Sequence, residues 1–219
     1  MFQHAIILFV FGKLFHMTIT ALFSIAVLII SIVIHEVAHG FAALSQGDLT
    51  AKYARRLTLN PISHIDPVGS ILVPLMCVLL PGGIVFGWAK PVPINPYNFK
   101  NQRFGEFFTA AAGPLSNLVI AVIAGLVLRF WYLALPASTA NILVIIVVTN
   151  LVLAIFNLMP VPPLDGSKIL FSLLPESANQ FKHFMDRYGM VLTIFFIFFL
   201  WQFVTPLIYI VFTAITGLN

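Results

Sequence analysis

The sequence predicts an all-α polytopic membrane protein. We expect a three-helix core with flanking helices, and short β-strands and a re-entrant element between the first two core helices. Of the 219 residues, 60% are hydrophobic and only 8% are charged, whereas a soluble domain carries roughly 25% charged residues. Several apolar runs also reach the roughly 20 residues that a membrane-spanning helix needs. The composition therefore excludes a mainly soluble protein and predicts a single membrane-embedded domain over residues 1–219.

The long apolar runs define the predicted helices. We place the core helices at about 18–46, 106–131 and 141–165, and a last membrane span at about 189–212. Gly47 follows the first run and is suited to end its helix, because glycine readily adopts the left-handed conformation of a C-cap.

The stretch between the first two core helices, about 48–104, does not have the pattern of a continuous helix. Leu57, Thr58 and Leu59 alternate like a strand. Residues 68–88 are uncharged over 21 residues, but prolines and glycines interrupt them. Free backbone groups at membrane depth are tolerated only where protein covers them. We therefore favour a re-entrant or partly inserted element, with strands on either side.

The charges indicate orientation and exclude some partners. The net charge is +4, with no run of five or six basic residues of the kind that binds nucleic acid. Most basic residues lie between the first two core helices and before the last span, so the positive-inside rule places those loops in the cytosol. The single cysteine, Cys77, cannot build a cysteine-based zinc site. The expected surroundings are therefore a lipid bilayer, with no nucleic-acid partner.

Three ionisable residues interrupt the first apolar run: His35, Glu36 and His39. Positions i and i+4 lie on one face of a helix, so the two imidazoles can hold one metal ion. Glu36 points elsewhere around the helix and suits a general base better than a third ligand. The alternative is a pair of core histidines beside a protonated glutamate. Because uncompensated ionisable groups are costly at bilayer depth, the pattern favours a metal.

Asp165 is the candidate third ligand. It is the single acidic residue at an apolar, proline-rich helix end, and Asp-Gly pairs are also common in turns. A catalytic zinc site needs three protein ligands and one open position. The predicted topology brings the ends of the first and third core helices to the same side of the membrane, where Asp165 could meet the histidines.

Three motifs in this order carry a family resemblance. They are His35-Glu36-x-x-His39, then Gly113-x-x-x-Asn117, and then Asn157-x-x-Pro160 leading into Leu164-Asp165-Gly166. Together they resemble the motifs of the site-2 protease family of intramembrane zinc metalloproteases. The chain looks like the compact microbial branch, which lacks PDZ and CBS domains.

The resemblance implies a function and a site. One zinc ion per chain would be held by His35, His39 and Asp165, with Glu36 as general base and acid in a three-helix catalytic core. It implies an intramembrane endopeptidase that acts on transmembrane protein substrates near the cytosolic face, in regulated intramembrane proteolysis. It also implies a multi-pass protein of a prokaryotic plasma membrane.

Other polar residues have two readings. Asn117 and Asn157 either join helices through hydrogen bonds or, as the family motifs suggest, bind substrate backbone or stabilise the oxyanion. Asn150 fits the helix-joining role better. His64 either approaches the zinc as an extra ligand or gate, or is an interfacial loop residue.

A different class of function is a non-enzymatic membrane metal transporter or metal-binding protein. Transport requires polar residues that form a path across the bilayer. Here they gather at one depth, so the sequence favours the enzyme.

Overall fold

The three core helices run through the apolar segments that the sequence predicts. The computed structural model describes residues 6–8, 19–73, 76, 85–87 and 89–218. Helix α1 spans Ile19–Ser45, a short helix α2 spans Thr50–Tyr53, α3 spans Gln102–Trp131 and α4 spans Ala137–Asn157. Within the described residues, α1, α3 and α4 are each long and apolar enough to cross a membrane. The helical membrane fold is thus confirmed.

Helix α3 lies at the centre of the bundle. It packs against α1 on one side and α4 on the other. A core of buried side chains that includes Leu128, Val147 and Leu151 joins α3 and α4. The N-terminus of α3 is fixed by Asn101, whose side-chain oxygen accepts a hydrogen bond from the backbone of Phe104, as a helix cap does. This cap explains why the helix begins at residue 102 and not at 106.

The third predicted core helix, 141–165, is in fact two helices. α4 ends at Asn157, and a separate helix α5 spans Asp165–Leu173. Pro160, Pro162 and Pro163 lie in the irregular segment between them, because proline lacks the N–H that a helix interior requires. Asp165 therefore opens a new helix instead of ending an old one.

The predicted last span, 189–212, is also broken. Helix α6 covers Asn179–Phe195 and continues into a π-helical segment over Phe196–Leu200. Helix α7 covers Trp201–Thr216 and is bent by 67° from the preceding helix. If the bent pair counts as one span, the described residues contain up to four candidate spans.

The predicted strand at Leu57–Leu59 is wrong, because these residues form no strand. The backbone oxygen of Thr58 faces a ring nitrogen of His64 at 2.9 Å and is not paired in a ladder. A turn at Pro61–His64 brings His64 back to this point. Local turn chemistry therefore prevails over the alternating pattern.

The described residues of this region contain one short strand. Strand β2, Val85–Gly87, pairs antiparallel with strand β1, Ile6–Leu8, near the start of the chain. The start of the proposed re-entrant element is a π-helical segment, Pro67–Leu72. Residues 74–75, 77–84 and 88 lie outside the described part of the chain, so re-entry stays a prediction.

Candidate metal centre

His35 and His39 present their ring nitrogens to one point. They lie one helical turn apart on α1, and their Nε2 atoms are 3.0 Å from each other. Both side chains are buried between α1 and α3. The i, i+4 spacing that the sequence singles out therefore produces the expected convergence.

Asp165 completes a triangle of donor atoms. Its Oδ2 atom lies 3.1 Å from the Nε2 atom of His35 and 3.1 Å from that of His39. The other carboxylate oxygen, Oδ1, faces the ammonium group of Lys168 at 3.5 Å. Asp165 is fully buried and lies in the first turn of α5, where the helix dipole favours a negative charge. The three residues predicted as ligands are thus brought together.

The outer ring nitrogens fix which way each histidine faces. Nδ1 of His35 lies 2.6 Å from the side-chain oxygen of Asn117. Nδ1 of His39 lies 2.6 Å from the backbone oxygen of Thr109. Both oxygens can only accept hydrogen bonds, so each Nδ1 is the donor, and in the neutral imidazole each Nε2 is then the atom that can bind a metal. Two such nitrogens and a carboxylate oxygen that face one another suit a cation between them.

The donor set fits a zinc ion. Nitrogen and oxygen ligands lie about 2.0–2.2 Å from zinc, so the donors of a tetrahedral site are roughly 3.3 Å apart. The three observed separations, 3.0, 3.1 and 3.1 Å, are close to that spacing. His35, His39 and Asp165 form the candidate metal group among the described residues. Two histidines and a carboxylate leave one tetrahedral position for water or substrate.

Gly113 allows α3 to approach the histidines. A Cβ atom at this position would lie 2.3 Å from Nε2 of His39 and 2.6 Å from Nε2 of His35. Both nitrogens belong to the donor triangle, so any side chain here would collide with the metal site. The Gly113-x-x-x-Asn117 motif thus combines a close approach with a hydrogen bond to His35, four residues apart on one face of α3.

Glu36 lies beside the donor triangle and is 1% exposed. Its Oε2 atom accepts a hydrogen bond from the backbone N–H of Val92 at 2.8 Å. The charge of Arg56 also acts on this carboxylate. The base predicted from the sequence is therefore held by an extended segment far away in the chain.

Asn117 belongs to a buried network that joins three helices. Its amide nitrogen donates to the side-chain oxygen of Asn150 at 2.8 Å, and the amide of Asn150 donates to the hydroxyl of Ser31 at 2.9 Å. The side chains of Asn117 and Asn150 are fully buried. Asn150 thus joins helices, as the sequence favours, whereas Ser31 is not among the predicted residues. The signal for Ser31 is the same one, a polar residue within an apolar membrane helix.

Comparisons with known proteins identify the family of this chain. The sequence model described as Peptidase family M50 matches residues 133–200. The chain is 41% identical over 187 residues to the "Putative zinc metalloprotease YwhC" of Bacillus subtilis (strain 168), which covers 82% of this chain and 79% of that protein. This chain belongs to Peptidase family M50, the site-2 protease family.

For two other relatives, the match covers a smaller share of the relative's own length. The "Putative zinc metalloprotease Rip2" of Mycolicibacterium smegmatis is 35% identical over 141 residues, 63% of this chain and 52% of that protein. The "Putative zinc metalloprotease sll0528" of Synechocystis is 28% identical over 165 residues, 75% of this chain and 35% of that protein. No solved structure gives a significant match. The family resemblance seen in the motifs is thus confirmed.

The two remaining candidates of this M50 chain have backbone oxygens as hydrogen-bond partners. The amide nitrogen of Asn157 donates to the backbone oxygen of Leu153 at 2.9 Å, within α4. His64 is buried, its Nε2 atom faces the backbone oxygen of Thr58, and it is not part of the metal group among the described residues. Their roles in substrate binding and gating stay predictions.

Proposed function

We propose that this M50 protein is an intramembrane zinc endopeptidase that cleaves transmembrane segments of other membrane proteins near the cytosolic face. The observation that carries the proposal is the buried triangle of His35, His39 and Asp165, with Glu36 beside it. His35 and His39 lie on a helix long and apolar enough to span a bilayer, and Asp165 opens the short helix α5 that follows another such helix. Ionisable groups in such surroundings are functional by default.

The protein's own residues would divide the work as follows. His35, His39 and Asp165 hold one zinc ion, which when bound supplies Lewis acidity toward the scissile carbonyl and toward water. Glu36 takes a proton from the attacking water and later gives it to the leaving amine. The N–H of Val92 keeps the carboxylate of Glu36 aimed at the site.

The two family asparagines receive different roles in this proposal. Both ends of the Asn117 side chain are engaged, by His35 on one side and by Asn150 on the other, so we assign Asn117 to orienting His35. Asn157 lies at the end of α4, one loop before Asp165, and is retained as the candidate contact to substrate backbone or oxyanion. His64 is assigned to the loop structure around Thr58.

The orientation of the protein in the membrane follows from its basic loops. Lys52, Arg55 and Lys100 are exposed and lie between α1 and α3, at the end of the bundle where α1 finishes. The positive-inside rule places that end in the cytosol. A multi-pass protein of a prokaryotic plasma membrane would then have its metal centre closer to the cytosolic face. Reporter fusions after Arg56 and after Lys100 should both read cytosolic.

The experiment uses the purified full chain in liposomes with a panel of single-span membrane protein substrates. Cleavage should occur with zinc, stop with a chelator and return when zinc is restored, while the Glu36→Gln variant stays inactive. A parallel arm measures zinc entry into liposomes that contain the protein but no substrate. Zinc entry without cleavage of any substrate would contradict the protease and favour the transporter.

A further inference from the structure

An extended segment covers the carboxylate of Glu36. We call residues 90–95 the strap; they form no helix or strand. The N–H of Val92, in the middle of the strap, donates to Oε2 of Glu36 at 2.8 Å. The side chain of Val92 is buried against α1, where a Cβ on Gly40 would lie 3.0 Å from it. The strap is therefore the immediate neighbour of the proposed general base.

Backbone pairing holds the start of the strap, where the N–H of Lys90 donates to the backbone oxygen of His64 at 2.9 Å, but the prolines prevent this pairing from continuing through Val92. Pro91 and Pro93 flank Val92 on either side and lack the N–H needed for a strand ladder. Val92 is thus the one backbone donor between them, and it is committed to Glu36. Groups outside the strap must fix where that donor points.

Arg56 supplies this support next to Val92. Its Nη2 atom donates to the backbone oxygen of Lys90 at 2.8 Å and to that of Pro91 at 3.4 Å. Arg56 is only 8% exposed. One terminal nitrogen of the guanidinium group carries two N–H bonds, so it can donate to both neighbouring oxygens. The two carbonyls directly before Val92 are therefore held by one buried cation.

A second anchor holds the far end of the strap. The carboxylate of Asp48 accepts a hydrogen bond from the backbone of Asn95 at 2.8 Å and another from the side chain of Asn98 at 2.8 Å. This anchor lies three residues beyond Val92, so it keeps the strap in place without fixing the Val92 donor. The two anchors therefore have separate effects on the strap: Arg56 holds the part next to Val92, and Asp48 holds the far end.

We propose that Arg56 is a positioning residue for peptide-bond cleavage: by gripping the carbonyls of Lys90 and Pro91 it aims the Val92 N–H that orients the Glu36 carboxylate. This inference rests on the proposed function. Arg56 is not among the proposed metal ligands; it acts on Glu36 through the strap, and its charge acts on the same carboxylate. Misplacement of a catalytic group by about 1 Å can lower a rate by about 10²-fold.

The first test compares Arg56→Gln, Arg56→Lys and the control Lys52→Gln, which changes an exposed cation four residues earlier in the chain. We expect Arg56→Gln to keep its zinc and its KM while kcat falls by about 10²-fold. Arg56→Lys retains the positive charge and one donor nitrogen, and should recover part of kcat. Lys52→Gln should match the parent. An unchanged kcat in Arg56→Gln, or a loss of zinc that accounts for the fall, would overturn the proposal.

The second test does not depend on cleavage, so it separates this inference from the proposed function. Hydrogen exchange of the zinc-loaded protein reports on the strap, where Val92 is the exchangeable amide between two prolines. Arg56→Gln should speed exchange at Val92 at least tenfold, as Glu36→Ala should, while Lys52→Gln leaves it unchanged. Unaltered exchange in Arg56→Gln would show that Arg56 does not aim this donor. If the parent cleaves nothing, the proposed function fails while this result still decides the strap contact.

Discussion

The Nδ1–H of His35 donates a hydrogen bond to the side-chain oxygen of Asn117, and the two atoms are 2.6 Å apart. This bond ties the first candidate ligand on α1 to the central helix α3. It also leaves the lone pair of Nε2 facing His39 and Asp165. A partner of this kind typically sets the tautomer and the orientation of a metal-binding histidine.

Replacing Asn117 by alanine should weaken zinc binding about 10–100-fold, as is typical for loss of a histidine's hydrogen-bond partner. Competition with a chromophoric chelator measures this. Ser116→Ala is the matched control, because Ser116 lies next in the chain and its hydroxyl donates to the backbone oxygen of Gly113 within α3. If instead zinc affinity held and KM rose, Asn117 would contact substrate.

Replacing Asp165 by alanine should remove most of the bound zinc, since two imidazoles alone complete only half of a tetrahedral site. Metal analysis of the purified variant measures the zinc-to-protein ratio. Lys168→Ala serves as the comparison, because it removes the neighbour of Oδ1 while leaving Oδ2 in the triangle. Full occupancy in Asp165→Ala would exclude this residue as a ligand.

Replacing Gly113 by alanine should abolish zinc binding with little change in the amount of membrane-inserted protein. The added Cβ would lie 2.3 Å from Nε2 of His39, far inside normal contact distance. The helix itself should tolerate the change, because alanine favours helix more than glycine by about 1 kcal/mol. Normal zinc content in this variant would mean that α3 is farther from the histidines than described.

Replacing Asp48 by asparagine should lower stability at neutral pH by about 1–3 kcal/mol, because an amide donor would then face the partly buried N–H of Asn95. Burial raises the pKa of the Asp48 carboxyl, but hydrogen bonds from Thr50, Asn95 and Asn98 outweigh it and hold the pKa below its ordinary value. The carboxylate's contribution is therefore present above about pH 4 and is lost as the pH falls further.

Thermal unfolding across pH 3–7 in detergent measures this contribution of Asp48. The parent should lose stability below about pH 4, and the asparagine variant should lose less over the same interval. Identical pH profiles for the two proteins would show that Asp48 makes no net ionic contribution.

The convergence of His35, His39 and Asp165 could be predicted from the sequence. Ionisable residues are rare in apolar runs, and helical spacing places the two histidines on one face. The third ligand followed from the need to complete the site. In each case the prediction depends on ionisable residues that lie in an otherwise apolar sequence.

The supporting contacts could not be predicted in the same way. The oxygen that fixes His39 belongs to the backbone of Thr109. Every residue type has a backbone oxygen, so the sequence does not indicate which one is used. The donor to Glu36 comes from Val92, 56 residues away in the chain, so only the folded strap reveals it. The false strand at Leu57–Leu59 shows the converse, because a short alternating pattern gives way to turn contacts around Thr58.

The measurement that tests the account most directly is the activity and zinc content of Glu36→Gln. Glutamine keeps the size of the side chain and can still accept the Val92 hydrogen bond, but it cannot take a proton from water. We expect about one zinc per chain and a fall in cleavage of at least roughly 10²–10⁴-fold, the range for loss of a general base. Cleavage within a fewfold of the parent, at full zinc content, would contradict the role assigned to Glu36.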